Sequence, residues 1–319
     1  MKKWNDYSKL CRQRRRGAGF EGGIVELRKI LDEVSDAIKG LGKNGEYAIK
    51  MEQAYIAFSE GNIDAAKRIY SDPELLTNGE DQWFPYFRTG ECCLALEEIG
   101  EALVAFDLCE EKMANHEGDV VDRYHAKVGL AYAYWSLGKE FLLTCVEKMK
   151  EAKTLIEPYL KSNDNEDATP LKFSLANNLC FYYLENWLAT PETSEVHETH
   201  ERKHLVDEQF CKLKSLYEKY PNNVSSNVCD TLAWYCFQVA ERELPGSNRQ
   251  GDLLNQAKIY IQRGEHLSNH APSRMISNSI QREHVQMILS RHSALTQATH
   301  SQDVPSSCAA QEQLDDADR

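Results

Sequence analysis

The chain has 319 residues, of which 42% are hydrophobic and 27% charged, so it can bury a substantial core, which argues against disorder throughout. Glycine and proline are sparse, at 17 and 9, and this composition favours helices over strands. The net charge of −13 combines an excess of +5 in residues 1–50 with −18 in the remainder, and an acidic body repels phosphate backbones and anionic membranes.

Two features of the chain bear on its location. No segment approaches the roughly 18 consecutive apolar residues of a membrane-spanning helix, so none is predicted. Residues 1–6 are followed by further charge instead of an apolar stretch, which argues against a secretory signal and predicts a cytoplasmic protein. The ten cysteines are therefore expected to be reduced, buried thiols. The closest pairs lack zinc-site spacing with a second ligand pair nearby; they are Cys92-Cys93 and Cys229 with Cys236.

The N-terminal segment contains a basic arm and one predicted helix. Residues 1–23 form the arm, which includes the basic run from Lys9 to Arg16. Residues 24–40 are predicted to form an amphipathic helix that covers the first repeat, because apolar residues recur there at helical spacing. These residues are Ile24, Leu27, Ile30, Leu31, Val34, Ile38 and Leu41.

An internal repeat follows this helix. Gly61, Gly100 and Gly138 stand in similar turn sequences, at spacings of 39 and then 38 residues. A small residue precedes each glycine by seven positions and lets two helices approach closely; these are Ala54, Cys93 and Ala131. The helix after each turn carries a small residue and, four positions later, a second core residue on the same face. The pairs are Ala66 and Tyr70, Ala105 and Cys109, and Ala152 and Ile156.

This punctuation resembles the tetratricopeptide repeat family. In that family a helix ends in a Gly-Asn-type turn, the returning helix carries Ala-x-x-x-Tyr, and a proline closes the unit. The closing prolines here are Pro73, Pro158 and Pro221. The resemblance covers about residues 45–267, with a period longer than the family's usual 34 residues.

The resemblance implies an all-α fold: an α-solenoid of about five tetratricopeptide-like helix pairs with N- and C-terminal capping helices. The fourth unit lies within residues 176–223 and the fifth within 232–261, both with long polar loops. Apolar residues at helical spacing predict the C-terminal capping helix over 274–291. The solenoid thus occupies residues 24–292, and the polar residues 293–319 are predicted to be a disordered tail.

The family resemblance also implies which residues face a groove, because the first helix of each pair lines the concave surface. Tyr55, Leu94 and Tyr132 share one position in this alignment, six residues before the turn glycine. Phe58, Glu97 and Trp135 share a second position, three residues before it. The predicted groove comprises Tyr55, Phe58, Leu94, Tyr132, Trp135, Asn177, Phe181, Trp234 and Phe237.

An aromatic groove suits an amphipathic helix or an extended peptide, because rings bury a large area at low entropic cost. The alternative is that the rings pack against their own neighbours or against the terminal helix. Chaperone-binding members of the family clamp a C-terminal carboxylate with Lys, Arg and Asn. Only Asn177 and Asn178 match those residue types here, which argues against such a clamp.

One segment carries an enzyme-like pattern. His200, Glu201 and His204 match the H-E-x-x-H arrangement, in which two histidines one helical turn apart bind zinc and the glutamate acts as a base. Arg202 and Lys203 between them are charged, whereas zinc peptidases usually have uncharged residues there. A solvated helix face is the competing interpretation, and a zinc-dependent hydrolase is the less favoured function.

The basic arm offers a third class of function. Its arginine run could contact nucleic acid or dock on the acidic body of the chain itself. No glycine-rich phosphate loop is present, since Gly17, Gly19, Gly22 and Gly23 lack a preceding strand and a following Lys-Ser/Thr. The favoured prediction is a scaffold or adaptor that binds a protein or peptide, with no enzymatic activity, cofactor or metal.

Overall fold

The computed structural model describes residues 25, 28, 29, 31–33, 35, 42–78, 83–114, 120–163, 168–190, 196–268 and 284–294. Every regular element in these ranges is a helix, which confirms the prediction of an all-α chain. None of the described helices is both long and apolar enough to cross a membrane. The predicted arm at 1–23 and all of the predicted tail beyond residue 294 lie outside the described residues.

The chain divides into two compact units, with the boundary between Val224 and Ser225. The first unit contains α1 (Lys43–Ser59), α2 (Ile63–Tyr70), α3 (Pro73–Asn78), α4 (Trp83–Ala95), α5 (Ile99–Ala114), α6 (Val120–Leu137), α7 (Leu142–Ser162), α8 (Thr169–Leu188) and α9 (Val196–Lys219). Short 3₁₀ helices span Lys139–Phe141 and Pro221–Asn223. The second unit contains α10 (Ser226–Ala240), α11 (Asn248–Ser268) and α12 (residues 284–294).

Helices that are adjacent in sequence pack as pairs. These pairs are α1 with α2, α4 with α5, α6 with α7, α8 with α9 and, in the second unit, α10 with α11. In the first unit α2 also contacts α4, α5 contacts α6, and α7 contacts α8, so each pair packs on the next. The predicted succession of helix pairs is therefore present in the described residues.

Small side chains let these helices approach closely, as the sequence predicts. Ala54, Ala66, Ala131 and Ala152 are completely buried where neighbouring helices meet. Larger residues fill the space between the helices, and Ile156 is buried on α7 as expected. The third returning helix, α7, also includes residues 145–149 and is longer than α2 and α5.

The turn between α4 and α5 differs from the prediction based on glycine spacing. Gly100 is the second residue of α5, and Glu97 instead adopts the left-handed conformation, with a φ of 61°. The Glu97 amide donates to Leu94 O at 3.2 Å and the Glu98 amide to Cys93 O at 2.9 Å. The Gly61 and Asn62 amides make the same two bonds after α1, to Phe58 O at 3.1 Å and Ala57 O at 2.9 Å.

The hydrogen bonds of these two turns correct the alignment of the second repeat, which contains α4 and α5. Both turns are Schellman motifs, so Glu97 corresponds to Gly61. The second repeat is therefore aligned three residues earlier than Gly100 suggests. The residues equivalent to Ala66 and Tyr70 are Ala102 and Phe106, both fully buried, and not Ala105 and Cys109. Gly90 replaces Cys93 as the small residue before the turn.

The predicted closing prolines have three different roles. Pro73 begins the short helix α3, and Pro221 begins the 3₁₀ helix after α9. Pro158 was expected to end a helix, but it lies inside α7, which continues to Ser162. A proline removes one helical hydrogen bond without forcing the chain to stop where tertiary packing holds the next turn.

Both predicted terminal helices are partly described. Residues 25, 28, 29, 31–33 and 35 are helical, Leu31 is buried, and Arg28 forms an ion pair of 2.7 Å with Glu60. At the other end the described part of α12 covers residues 284–294, so it includes the end of the predicted range of 274–291 and also residues 293 and 294, which the sequence analysis had assigned to the disordered tail. The described part of each predicted terminal helix is therefore helical.

Candidate functional site

Three rings from two helices form a continuous cluster in the first unit. Tyr132 and Trp135 on α6 have ring centroids 5.6 Å apart, and Trp135 meets Phe181 on α8 edge-to-face at 5.4 Å. All three side chains are only partly buried. Trp135 and Phe181 pack against a core cluster that includes Leu179 and Tyr182, and Tyr132 packs against a second cluster that includes Leu94 and Leu130. We refer to Tyr132, Trp135 and Phe181 as the aromatic surface.

A carboxylate lies within electrostatic range of this surface. Burial raises the pKa of Tyr132 to about 12, and the negative charge of Glu97 adds to the rise. Glu97 itself is exposed, in the turn that follows α4. The site therefore combines the faces of three aromatic rings with the carboxylate of Glu97, which is carried by the turn at the end of α4.

The remaining groove residues of the first unit are dispersed along the helix pairs. Tyr55 and Phe58 on α1 are partly buried, and Leu94 on α4 is buried, with 8% of its surface exposed. Asn177 precedes Phe181 by one turn on α8, and its Oδ1 is buried without a hydrogen bond from any described residue. Leu94 accepts the amide of the turn residue, as Phe58 and Trp135 do after their own helices, so these three residues are equivalent. The alignment on the glycines had instead grouped Leu94 with Tyr55 and Tyr132.

Tyr55 has a cation over its ring. The guanidinium of Arg88 on α4 lies 5.6 Å from the centroid of the Tyr55 ring and also forms an ion pair with Glu91. Phe84 and Phe87 surround the same guanidinium, at 5.2 and 5.7 Å. This part of the chain thus holds an arginine between aromatic rings and a glutamate.

The two groove residues of the second unit are buried. Trp234 and Phe237 on α10 are 8% and 5% exposed, and their rings stack with centroids 5.4 Å apart. His284 of α12 lies flat on the Trp234 ring at 4.0 Å, while its Nδ1 lies 3.1 Å from both carboxylate oxygens of Asp230. Trp234 therefore packs against a terminal helix, which was the sequence-based alternative for the aromatic residues.

The H-E-x-x-H segment lies on α9. His200, Glu201 and His204 are exposed. The two intervening residues reach the end of α8: Arg202 donates to Thr190 Oγ1 at 2.8 Å, and Lys203 Nζ lies 6.0 Å from the centroid of the Trp187 ring while it pairs with Asp207 at 2.6 Å. The two intervening residues therefore face α8, whereas the two histidines and the glutamate lie on the exposed side of α9, where neither histidine is buried as a preformed zinc ligand.

Another group with metal-ligand chemistry lies at the start of α5. Cys93, Glu98 and Glu101 place one potential ligand atom each within 4.8 Å of one another. The ammonium of Lys67 already bonds both carboxylates, at 2.6 Å from Glu101. Burial disfavours the charged lysine, but the bonds to Glu101 and Glu98 outweigh it and raise the pKa of Lys67. The lysine therefore supplies the positive charge that a metal ion would bring.

The sequence analysis did not identify several residues that contact the predicted groove. Arg88 and His284 contact predicted groove residues from helices that the repeat alignment did not connect with them. Glu97 was considered only as a groove position, because the alignment used Gly100 as the turn. The signal that could have placed it is the sequence after the turn, where Ala102 and Phe106 match Ala66 and Tyr70.

No protein-family model matches the chain, and no curated protein matches it significantly. The resemblance to tetratricopeptide repeats therefore stays a prediction.

Proposed function

We propose that this chain is a protein-binding scaffold of tetratricopeptide-like helix pairs stacked as a solenoid, and that its first unit binds a helix or an extended peptide on the aromatic surface. The observation that carries the proposal is the continuous contact of Tyr132, Trp135 and Phe181 across two helix pairs while each ring stays partly exposed.

The chemistry of the rings supports binding of a peptide. Aromatic side chains have few rotatable bonds, so a partner that covers them gains a large buried area and loses little conformational entropy. Tyr132 also presents a polar hydroxyl at the edge of its ring. Mixed apolar and polar contact of this kind is typical of surfaces that bind helices or extended segments.

The second unit has a different part in the proposal. Because α12 covers Trp234, the partner surface is assigned to the first unit alone. Trp234 and Phe237, which the sequence placed in the same groove, are assigned a packing role. Tyr55 is likewise engaged by Arg88, so the proposed contact surface is centred on α6 and α8.

Selection of random displayed peptides on the full chain tests this proposal. Enriched peptides would be synthesised with fluorescein, and their affinity measured by anisotropy. Replacing Tyr132 and Trp135 with alanine should weaken binding by at least about thirtyfold, since a single central interface ring commonly contributes about 2 kcal/mol.

The matched control is Tyr220→Ala, which removes a partly exposed tyrosine at the end of α9 and should leave the affinity unchanged. Circular dichroism and urea unfolding establish that the double variant keeps its helices. Peptide binding that is equal in the wild type and the folded double variant would show that the aromatic surface is not the binding site.

A further inference from the structure

Glu97 occupies a backbone conformation that favours glycine. It is the one non-glycine residue with a positive φ in the part of the chain that the structure describes. The equivalent residue after α1 is Gly61, with a φ of 81°. A side chain with a Cβ is destabilised in this conformation relative to glycine. Glutamate therefore weakens the turn, and its carboxylate is the feature that glycine would lack.

The Glu97 carboxylate is exposed and has no hydrogen bond or ion pair with any of the described residues. The two acidic residues that follow Glu97 in the chain are already paired, because Lys67 bonds both Glu98 and Glu101. Tyr132 packs on the core cluster that contains Cys93 and Leu94, and the carbonyls of these two residues accept the amides of Glu98 and Glu97, so the turn that carries Glu97 adjoins the cluster under the Tyr132 ring. A carboxylate that none of the described residues neutralises thus lies on the turn next to one end of the aromatic surface.

Arg88 shows how the same chain accommodates a cation between a tyrosine and a glutamate. Its guanidinium lies over the Tyr55 ring while it pairs with Glu91. By turn register Tyr55 is equivalent to Tyr132. Tyr132 has the carboxylate of Glu97 nearby, but its own ring contact is with Trp135, and the described residues place no cation over it.

We propose that the partner of the aromatic surface carries an arginine, whose guanidinium pairs with Glu97 and stacks on Tyr132. This inference rests on the proposed function and names the chemistry of the ligand for the same site. The occupant is a segment of another protein in which the arginine adjoins apolar residues that cover Trp135 and Phe181.

Arginine fits this site better than lysine for physical reasons. Its planar guanidinium stacks on an aromatic face and donates two hydrogen bonds to one carboxylate at the same time. It is also more weakly hydrated than an ammonium, so less solvation is lost on contact with the rings. The surplus negative charge beyond residue 50 favours a basic ligand over an acidic one.

The fluorescein-labelled peptides selected on the full chain provide the probe. Each arginine is replaced in turn by glutamine or lysine, and binding is measured to wild type, Glu97→Gln and Glu97→Gly. Wild type should lose about tenfold in affinity when one arginine becomes glutamine, with lysine intermediate. Both Glu97 variants should bind the arginine peptide several-fold more weakly and distinguish it less from the glutamine peptide, because only the stacking on Tyr132 remains.

Two controls separate a binding role of Glu97 from a structural one. Glu147→Gln removes an exposed carboxylate from α7 and should leave the affinity unchanged. Glu97→Gly should raise the urea midpoint while it lowers peptide affinity, so misfolding cannot explain the loss. Affinity for the arginine peptide should fall as salt rises in wild type, and should change little in Glu97→Gly.

The outcomes distinguish this inference from the function on which it rests. If the peptides require Tyr132 and Trp135 but bind Glu97→Gly as tightly as wild type, the assignment of an arginine is wrong and the proposed scaffold function stands. Loss of ring dependence would overturn both. If deletion of residues 1–23 raises the affinity for the arginine peptide about tenfold or more, the occupant is the chain's own basic arm, and the assignment to another protein is wrong.

Discussion

At the scale of single residues, the turns show how one hydrogen-bond pattern accepts different side chains. Gly61 and Glu97 hold the same two Schellman bonds, although only glycine is free of the Cβ clash in this conformation. Gly100 looked like the second turn glycine because it follows a similar string of residues. The backbone hydrogen bonds of the turn decide which residue takes the left-handed conformation. In the second turn they select Glu97, although a glycine lies three residues further on.

Alanine substitutions at two glycines test this assignment. Gly61→Ala should lower the free energy of unfolding by about 1 kcal/mol, because it places a Cβ in the left-handed region. Gly100→Ala should raise it by about 0.5 kcal/mol, since Gly100 is helical and a Cβ there meets no atom within 4 Å. Urea unfolding measures both. A loss of stability in Gly100→Ala would restore Gly100 as the turn residue.

At the scale of helices, one aromatic ring joins three elements. Phe106 of α5 is fully buried between Gly90 of α4 and Gly129 of α6. A Cβ at Gly90 would lie 2.8 Å from the Phe106 ring, and one at Gly129 would lie 2.6 Å from it. Both distances are shorter than van der Waals contact, so the two glycines set how closely the neighbouring helices approach the ring.

Gly129→Ala should therefore destabilise the protein by about 1 to 2 kcal/mol, even though alanine is the better helix former. The cause is overpacking against Phe106, and a smaller side chain at that position should relieve it. A double-mutant cycle with Phe106→Leu, measured by urea unfolding, is expected to show a favourable coupling between the two substitutions. Independent, additive effects would mean that Phe106 does not limit the packing.

At the scale of the whole molecule, the core contains many ionisable groups that are kept neutral. Burial raises the pKa of Tyr124, Cys109 and Cys145 to about 12 each. The thiols at Cys92, Cys93, Cys180, Cys229 and Cys236 are buried as well, as the sequence predicted, whereas Cys211 is exposed. Folding thus depends on these phenols and thiols remaining protonated.

These shifts predict a loss of stability at alkaline pH. In an unfolded chain cysteine ionises near about 8.5 and tyrosine near about 10, below the pKa values of the folded state. Deprotonation therefore favours the unfolded chain, and stability present below about pH 8.5 is lost as the pH rises toward 12. The urea midpoint should fall progressively from pH 8 to pH 11, with tyrosinate absorbance rising as helix signal is lost. A midpoint that stays constant over this range would contradict the prediction.

Local patterns were sufficient to predict the all-α class, the helix pairs and the small residues buried between them. Helical periodicity and residue size act over a few turns, so Ala54, Ala66 and Ala152 carry their information within their own segments. The adjacency of Tyr132 and Trp135 follows directly from their spacing on one helix.

Tertiary packing alone decided the rest. Phe181 joins the cluster because α8 packs beside α6, Arg88 reaches Tyr55 from the next helix pair, and His284 covers Trp234 from α12. Each of these contacts joins residues that are far apart in sequence, and many alternative pairings would satisfy the same local pattern. Which rings stay partly exposed and which are covered therefore depends on the closest packing of the whole chain, because burial is a property of neighbours and not of residue type.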